Sequence, residues 1–437
     1  FTAVAAAVDA ATRHLGPDRA TWSDRIDRFV TSPVLGPLVF LAVMWAVFQL
    51  TTVGAAPLVD GLDQLFAGPV SDAGAWLLGL VGLGGTWVEG FLVDGLIAGV
   101  GMVLTFMPLM ALMFLLLALL EDSGYMARAA VVADRLMRVV GLPGRAFVPL
   151  VVGFGCNVPA VSATRILPDA RHRLLTALIV PFTTCSARLP VYVLVGAAIF
   201  GANAGNLVFA MYLASVALVV LSGLLLRATL LRGMRSDPLV IDLPSYQLPI
   251  PRMLAVATWS RLAAFLRTAT GIIVVTVAAV WLLTAIPARS DVGGFGEVAV
   301  EDSAFAAVSS TAAVVFAPAG FGDWHTAGAL VVGFVAKEAV VSSWAQTYAA
   351  DEPDDLAEPS RLGEAVQADF AASSGGHPAL AGFAFLLFVL GYAPCVATMT
   401  AQVREIGLRW TLTGIGLSLV LSWVVAVAVF QVGRAIL

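Results

Sequence analysis

The residues with the most distinctive chemistry in this chain are its three cysteines, each of which stands beside a helix-breaking residue. Cys156 lies among Gly153, Gly155 and Pro159, Cys185 follows Pro181, and Cys395 follows Pro394. A thiol beside unwound backbone offers a soft ligand together with carbonyl oxygens, which suits Fe²⁺, Zn²⁺ or Cu⁺ better than Na⁺ or Mg²⁺. The alternative is that each cysteine is a small buried hydrophobic residue. No Cys-x-x-Cys spacing is present, so a disulfide framework or zinc knuckle is not expected.

A pair of carboxylates, Glu121-Asp122, follows a long apolar run. Carboxylates at a helix C-terminus oppose the helix dipole, so ordinary capping does not explain them. Two interpretations stay open. The pair collects cations at the mouth of a pore, or it lies at the membrane interface and is neutralised by Arg128 or a neighbouring arginine.

Further ionisable residues lie within apolar segments, where charge is costly and suggests function. Lys337-Glu338 stands inside the run Ala329–Val341, and Arg188 precedes Pro190. Lys337 and Glu338 are adjacent, so they do not face each other on a helix and need a break or other partners. They either serve gating or form structural ion pairs, with Glu338 as a candidate partner of Arg188. His172 and His325 lie at segment ends and are expected at the interface, not as ligands.

The composition defines the environment of these residues. Of 437 residues, 59% are apolar and only 12% are charged, about half the charged fraction of soluble proteins. The net charge is −5 and no basic tract occurs. These values exclude a soluble enzyme, a disordered chain and a nucleic-acid-binding protein, and they predict an all-α polytopic membrane protein.

Apolar runs of about 17–25 residues predict the membrane spans. These are Val34–Val53, Val88–Leu120 (with breaks or bends at Gly95, Gly99, Gly101 and Pro108), Leu174–Phe200, Leu207–Leu231, Ala263–Ile286, Ala379–Val403 and Trp410–Val432. Two further runs, Phe147–Ile166 and Trp324–Tyr348, are interrupted and suit re-entrant hairpins. Arginine near span ends marks the cytoplasmic side, which places the N-terminus, Arg145 and Arg165 inside and Asp351–Asp355 outside.

An internal repeat relates the two halves. Val151-Val152-Gly153-Phe154 recurs as Val331-Val332-Gly333-Phe334, and a proline-cysteine segment follows each copy, at Cys185 and Cys395. The polar insert Ala350–Pro378 accounts for the longer spacing in the second copy. If both interrupted runs are hairpins that open to opposite sides, the repeats are inverted, an architecture that places substrate where broken helices meet.

Several motifs resemble the bacterial ferrous iron transport protein B (FeoB) family. They are Glu121–Ala130, Gly153–Pro159, Pro181–Pro190, Ala336-Lys337-Glu338 and Tyr392-Ala393-Pro394-Cys395. The resemblance implies two inverted Gate-type repeats, similar in layout to concentrative nucleoside transporters. It also implies Fe²⁺ uptake across the bacterial cell inner (cytoplasmic) membrane. One departure is Thr183-Thr184, where many members carry Met-Ser.

The resemblance implies a domain organisation. Residues 1–30 correspond to the tail of a guanine-dissociation-inhibitor-like bundle, and residues 31–88 to a first span with an external loop. Gate repeat 1 covers 89–231, a cytoplasmic linker 232–262, and Gate repeat 2 covers 263–437 with the insert 350–378. FeoB proteins begin with a G-protein domain, so the chain resembles a truncated or cleaved membrane domain.

The resemblance also implies partners and cargo. Fe²⁺ is the transported substrate, and no cofactor is expected in this chain, because GTP and Mg²⁺ belong to the G-protein domain. Expected partners are membrane lipid, the protein's own G-protein domain, small cytosolic Feo accessory proteins and further copies of the chain. The alternatives are a transporter of another divalent metal or of a nucleoside-like solute, and an intramembrane enzyme, for which no catalytic pair is apparent.

The predicted site residues form two groups. Those expected to bind metal are Cys156, Cys185, Cys395, Glu121 and Asp122. Those expected to line or gate the pathway are Asn157, Gly153, Gly155, Pro159, Arg188, Lys337, Glu338 and Pro394. We expect the three thiols to approach one another near the membrane centre, with Glu121 and Asp122 as an outer collecting site.

The first prediction concerns nucleotide. A P-loop needs a lysine after its glycine-rich turn, and the one lysine, Lys337, lies in an apolar run instead. We therefore expect the purified chain neither to bind nor to hydrolyse GTP. Equilibrium binding of a fluorescent GTP analogue checks this, and micromolar affinity contradicts it.

Overall fold

A computed structural model describes residues 22–32, 35–140, 142–229, 246–288, 294–296, 298–335, 337, 339–348, 350, 356, 358 and 360–436. In these residues the regular structure is helical, and the one β-type pairing is an isolated bridge between Pro287 and Ser303. Five helical runs are long and apolar enough to cross a membrane, or six if one bent pair counts as a span. The prediction of an all-α polytopic membrane protein is confirmed.

We number ten helices in the first part of the chain. They are α1 Trp22–Val30, α2 Leu35–Leu65, α3 Ser71–Leu80, α4 Ala98–Asp122, α5 Tyr125–Val140, α6 Phe147–Gly155, α7 Asn157–Ala163, α8 Ala170–Ile179, α9 Leu189–Val195 and α10 Ala204–Thr229. The second part contains eight. They are α11 Pro251–Ala285, α12 Ala304–Phe316, α13 Trp324–Val335, α14 Ala339–Thr347, α15 Arg361–Ser374, α16 Pro378–Gly391, α17 Val396–Ile406 and α18 Leu408–Ile436.

The order of elements repeats. A long helix (α4, α11) is followed by a shorter one (α5, α12) and then by a pair separated by a short break (α6–α7, α13–α14). A second broken pair (α8–α9, α16–α17) and a long helix (α10, α18) complete each half, and α15 is the insert. The helices α12 and α13 meet at a bend of 103°. The inverted orientation of the halves stays a prediction.

Some local expectations differ from the structure. The acidic stretch after the first span, expected as an external loop, is helical, because charged residues alone do not stop a helix. A π-turn over Phe66–Val70, which contains Pro69, joins α2 to α3. The expected break at Gly95 in the next span is also a π-helical segment, Phe91–Ile97. Pro108, where a further break was expected, lies within the α-helix α4.

Two glycines of α4 serve packing instead of bending. A Cβ built on Gly99 would lie 3.3 Å from Val277 Cβ of α11, and one on Gly101 would lie 3.0 Å from Phe66 Cβ. Absence of a side chain at Gly99 thus lets the two long helices α4 and α11 approach closely, as small residues do in membrane helix pairs, and at Gly101 it leaves room for Phe66.

The predicted domain limits fall partly outside the described residues, because 1–21, 230–245 and 351–355 are among those omitted. Residues 251–262 of the predicted linker belong to α11. The predicted polar insert contains the helix α15, and its Phe370 is buried against Trp344 and Phe385 in the main core.

Candidate functional site at the helix breaks

The first break lies between α6 and α7. Cys156 has extended backbone angles (φ −152°, ψ 132°) and separates the two helices by one residue. Pro159 has no N–H, so the carbonyl of Gly155 loses the donor that a continuous helix would supply. Ser186 Oγ donates to that carbonyl at 3.1 Å instead. The break therefore exposes a thiol and is stabilised by the neighbouring broken pair.

Asn157 extends this connection. Its side chain is buried, and Thr183 Oγ1 donates to Asn157 Oδ1 at 3.1 Å and to the Val180 carbonyl at 2.7 Å, a bifurcated arrangement. The predicted pathway residue Asn157 thus contacts the segment that precedes Cys185. The two breaks of the first half are one hydrogen-bonded unit.

The second break of this half, between α8 and α9, is held by a buried arginine. Arg188 is 0% exposed and donates to the carbonyls of Thr183 at 2.6 Å and Pro181 at 2.9 Å. Ser215 of α10 accepts from the N–H of Thr184 at 3.0 Å and donates to the Phe182 carbonyl at 2.9 Å. These bonds satisfy backbone groups that the unwound segment releases. Glu338, the partner suggested for Arg188, lies outside the described residues.

The second half has a corresponding arrangement. Between α16 and α17, Tyr392 and Cys395 have extended backbone, and Cys395 Sγ lies 3.1 Å from Thr398 Oγ1. Lys337, at the break between α13 and α14, is buried, and its Nζ lies 4.8 Å from the centre of the Tyr392 ring. Such a distance permits a cation–π interaction. Lys337 thus contacts the second break of its half, as Asn157 does in the first.

Equivalent glycines allow these contacts. A Cβ on Gly153 would lie 2.3 Å from Thr183 Oγ1, and a Cβ on Gly333 would lie 2.8 Å from Tyr392 Oη. Real Cβ atoms essentially never come closer than 3.0 Å. The repeated Val-Val-Gly-Phe sequence therefore has a structural cause, since each glycine lets the first broken pair touch the second.

The three thiols do not share one compact ligand shell. Cys185 is buried, whereas Cys156 and Cys395 are half-buried. Within the described ranges, the group of three His, Cys, Asp or Glu side chains whose ligand atoms lie within 4.8 Å of one another is formed by Asp323, His325 and Asp369. The metal-binding role of the thiols stays a prediction.

A cavity of about 780 Å³ reaches two of the breaks. Its wall includes Val158 and Pro159, directly after Cys156 and Asn157, and Ala397, two residues after Cys395. Its charged lining consists of Glu121, Arg145, Arg165, Arg261, Arg404 and Glu405. The cavity therefore has charged side chains in its lining together with residues that are close in sequence to two of the thiols.

The carboxylates of this lining are paired with arginines. Glu121 accepts from Arg261 Nη2 at 2.8 Å, and Arg165 Nη2 lies 2.6 Å from Glu405 Oε1. The pairs join α4 to α11 and the end of α7 to α17. Asp122 is exposed and is not among the cavity-lining residues, so the structure separates it from Glu121.

Arg128 has a different partner. It is buried, makes a bidentate interaction with Asp27 of α1 (2.7 and 3.1 Å), and donates to the Gly124 carbonyl at 2.8 Å. Its guanidinium carbon lies 3.9 Å from the centre of the Tyr246 ring. This contact could not be predicted from the sequence, because α1 and residue 246 are remote from Arg128 along the chain.

Two protein-family models match this chain. The Gate family model, described as "Nucleoside recognition", matches residues 103–199 and 266–409, more than half of the chain. The model described as "Ferrous iron transport protein B C terminus" matches residues 208–261, between those two parts. The chain belongs to the FeoB membrane-domain family.

Curated relatives agree with this family. The chain is 36% identical over 420 residues to an Fe(2+) transporter FeoB of Staphylococcus aureus strain COL, covering 95% of the chain and 60% of the relative. It is 35% identical over 422 residues to one of Methanocaldococcus jannaschii, covering 95% and 59%. A Porphyromonas gingivalis relative, named as an Fe(2+) transport protein A/FeoB fusion, is 35% identical over 450 residues, covering 94% and 52%.

The chain thus spans about three fifths of the length of the first two relatives. No solved structure matches it significantly. The two parts of the Gate match lie on either side of residues 208–261, which match the FeoB C-terminal model, as expected for a member of the FeoB family.

The second prediction concerns Gly153. In Gly153→Ala the new methyl group must displace Thr183, and overpacking of this kind costs about 1–3 kcal/mol. Gly416→Ala in α18 is the matched control, because nothing lies within 4 Å of a Cβ there. We expect a lower thermal unfolding temperature for Gly153→Ala in detergent and no decrease for the control. Equal unfolding temperatures contradict the contact.

Proposed function

We propose that the chain is the membrane domain of a ferrous iron transporter, in which Fe²⁺ passes along the broken helix pairs. The observation that carries this proposal is the position of the cavity. Its wall includes Val158-Pro159 and Ala397, next to the breaks that contain Cys156 and Cys395. Unwound backbone at membrane depth is tolerated where it is buried in protein or lines a cavity, and these two half-buried breaks lie directly beside this cavity.

The ligand chemistry supports a metal as cargo. Thiols are soft donors that favour transition metals over Na⁺, Mg²⁺ or Ca²⁺. The curated relatives carry the name Fe(2+) transporter. We infer that Cys156, Cys185 and Cys395 bind Fe²⁺ in succession, with backbone carbonyls and water as further ligands. A closed thiolate shell would hold the ion too tightly for release.

The ion pairs that line the cavity are compatible with the passage of Fe²⁺. Glu121 and Arg261 are both about half exposed, and exposed pairs of this kind contribute little stability. A divalent cation can therefore take the place of Arg261 beside Glu121 at small cost. In this role Glu121 is a collecting residue, and exposed Asp122 adds negative charge nearby.

Lys337 and Arg188 hold the breaks in shape in this proposal. Arg188 neutralises the carbonyl dipoles of Pro181 and Thr183, so these oxygens face the guanidinium and not the ion. Lys337 lies on the Tyr392 ring, which fixes α13–α14 against the break before Cys395. Gly153, Gly155, Pro159 and Pro394 create the breaks themselves, and Glu338 keeps its predicted gating role.

The wider assignments are part of the same proposal. The protein lies in the bacterial cytoplasmic membrane with inverted repeats, so that the two hairpins open to opposite sides. It works with a G-protein domain that binds GTP and Mg²⁺, with small Feo accessory proteins and with further copies of itself. The name of the Porphyromonas gingivalis relative, a fusion with transport protein A, supports an accessory partner.

A second candidate cargo is a nucleoside-like solute, which the description of the Gate family model favours. Recognition of a base requires aromatic and amide side chains at the site. The first break offers one amide, Asn157, whose Oδ1 accepts from Thr183. Transport of radiolabelled nucleoside, measured beside Fe²⁺ transport, distinguishes the two.

The third prediction tests the thiol pathway. Cys156→Ser and Cys395→Ser keep the side-chain volume but replace a soft ligand with a hard one. In full-length protein in liposomes, we expect Fe²⁺ uptake to fall roughly 10–100-fold, the range typical of disturbed metal sites. Thr413→Ser, on the exposed side of α18, is the control and keeps the wild-type rate.

Folding is checked separately by size-exclusion chromatography and thermal unfolding, which the serine variants should leave close to wild type. If the triple serine variant transports Fe²⁺ at the wild-type rate, the cysteines are packing residues and the proposed pathway is wrong.

A further inference from the structure

A second group of ligand-type side chains lies at the open end of the α13–α14 pair. His325 Nδ1 lies 3.0 Å from Asp369 Oδ2 and 3.2 Å from Asp323 Oδ2. All three side chains are partly buried, with exposed fractions of 16–29%. None of them belongs to the thiol-bearing breaks or lines the cavity described above.

Three separate elements fix the positions of these side chains. Asp323 precedes α13, and its Oδ2 accepts from the N–H of Thr326 at 3.1 Å. The His325 ring stacks on Tyr348 at a centroid distance of 4.1 Å and lies tilted against Trp324 at 3.9 Å. Contacts within the protein therefore hold Asp323 and His325 in place.

Asp369 comes from the insert helix α15. The next residue, Phe370, is fully buried and packs on Phe385 at a centroid distance of 5.5 Å, which holds the helix in place. Ser373 of the same helix donates to the Gly320 carbonyl at 2.9 Å. The insert thus carries a carboxylate to the end of the hairpin and is attached there by two residues that follow Asp369.

The distances fit a metal ion. Two ligand atoms that each lie about 2.1 Å from a metal, at right angles to each other, are about 3.0 Å apart. The measured distances from the imidazole nitrogen to the two carboxylates, 3.0 and 3.2 Å, are close to that value. A metal bound by the three atoms therefore requires little movement of the backbone.

The donor set indicates the class of ion. Imidazole suits transition metals, and carboxylates suit harder cations, so one histidine and two aspartates favour Fe²⁺, Mn²⁺ or Zn²⁺ over Cu⁺.

We propose that Asp323, His325 and Asp369 form a binding site for a divalent transition-metal ion. Water completes the coordination, and the metal takes the place of the proton on Nδ1. Tyr348 positions Asp369 through the hydrogen bond from its hydroxyl. The sequence analysis expected His325 at the interface and not as a ligand. It did not identify this group, because Asp369 lies far from His325 along the chain.

The site has a role in transport that rests on the proposed function. The open end of the first hairpin carries Arg145 and Arg165, of which Arg165 is paired with Glu405, whereas the open end of the second carries two carboxylates and an imidazole. With the second hairpin open to the outside, Asp323, His325 and Asp369 collect Fe²⁺ before it reaches the thiols. The insert α15 is then part of the collecting site.

The fourth prediction uses Co²⁺ as the probe, added to the whole purified chain in detergent. Co²⁺ bound by nitrogen and oxygen ligands gives visible d–d absorption without the strong near-ultraviolet charge-transfer bands of thiolate ligation. We expect saturable d–d absorption in wild type and in the triple cysteine-to-serine variant. Asp369→Asn and His325→Gln should weaken this binding by roughly 100-fold.

His172→Gln is the matched control. His172 Nδ1 lies 2.9 Å from Asp169 Oδ2, a histidine–aspartate pair that belongs to no group of three ligands among the described residues. The control should bind Co²⁺ as wild type does. Binding unchanged in Asp369→Asn and His325→Gln overturns the proposal and leaves the group as a structural ion pair.

A second measurement needs no variant. Bound Zn²⁺ should protect His325 from modification by diethyl pyrocarbonate, with peptide mass spectrometry as the readout, and should not protect His172. Equal modification of His325 with and without Zn²⁺ contradicts the site. Both measurements concern binding alone. If the wild-type protein binds Co²⁺ at this site but does not transport Fe²⁺, the proposed transport function is wrong and the site is not.

Discussion

The structure depends on one constraint, which is that every backbone group released where a helix is broken inside an apolar protein needs a new hydrogen-bond partner. Pro159 deprives the Gly155 carbonyl of its donor, and Ser186 supplies another. Arg188 binds two carbonyls of the next break, and Ser215 serves as donor and acceptor there. The buried side chains of Arg188 and Ser215 are thus explained by the breaks.

Because these partners come from other elements, the breaks hold the two broken pairs of each half together. In the first half the hydrogen bond from Thr183 to Asn157 connects them, and in the second half the contact of Lys337 with the Tyr392 ring connects them. Different chemistry performs the same task in the two halves. The first uses a neutral hydrogen bond and the second a buried cation on an aromatic ring.

Much of this organisation could be predicted from local sequence. Glycine and proline act on their own backbone, so the breaks near Cys156, Cys185 and Cys395 follow from composition within a few residues. Long-range contacts could not be predicted in this way. The pair Arg128–Asp27 and the group around His325 join residues far apart in sequence, and apolar periodicity contains no information on them. The acidic segment before residue 80 was expected as a loop but is helical, because aspartates alone do not end a helix.

The central claim is that the two hairpins open to opposite sides of the membrane, and labelling of single cysteines tests it most directly. Ser162→Cys places a thiol at the exposed end of the first hairpin, and Gln346→Cys at that of the second, both in a background whose native cysteines are serine. A membrane-impermeant maleimide should label Gln346→Cys in intact cells, and Ser162→Cys only in inside-out vesicles. Labelling of both positions from the same side would contradict the inverted arrangement and the transport path built on it.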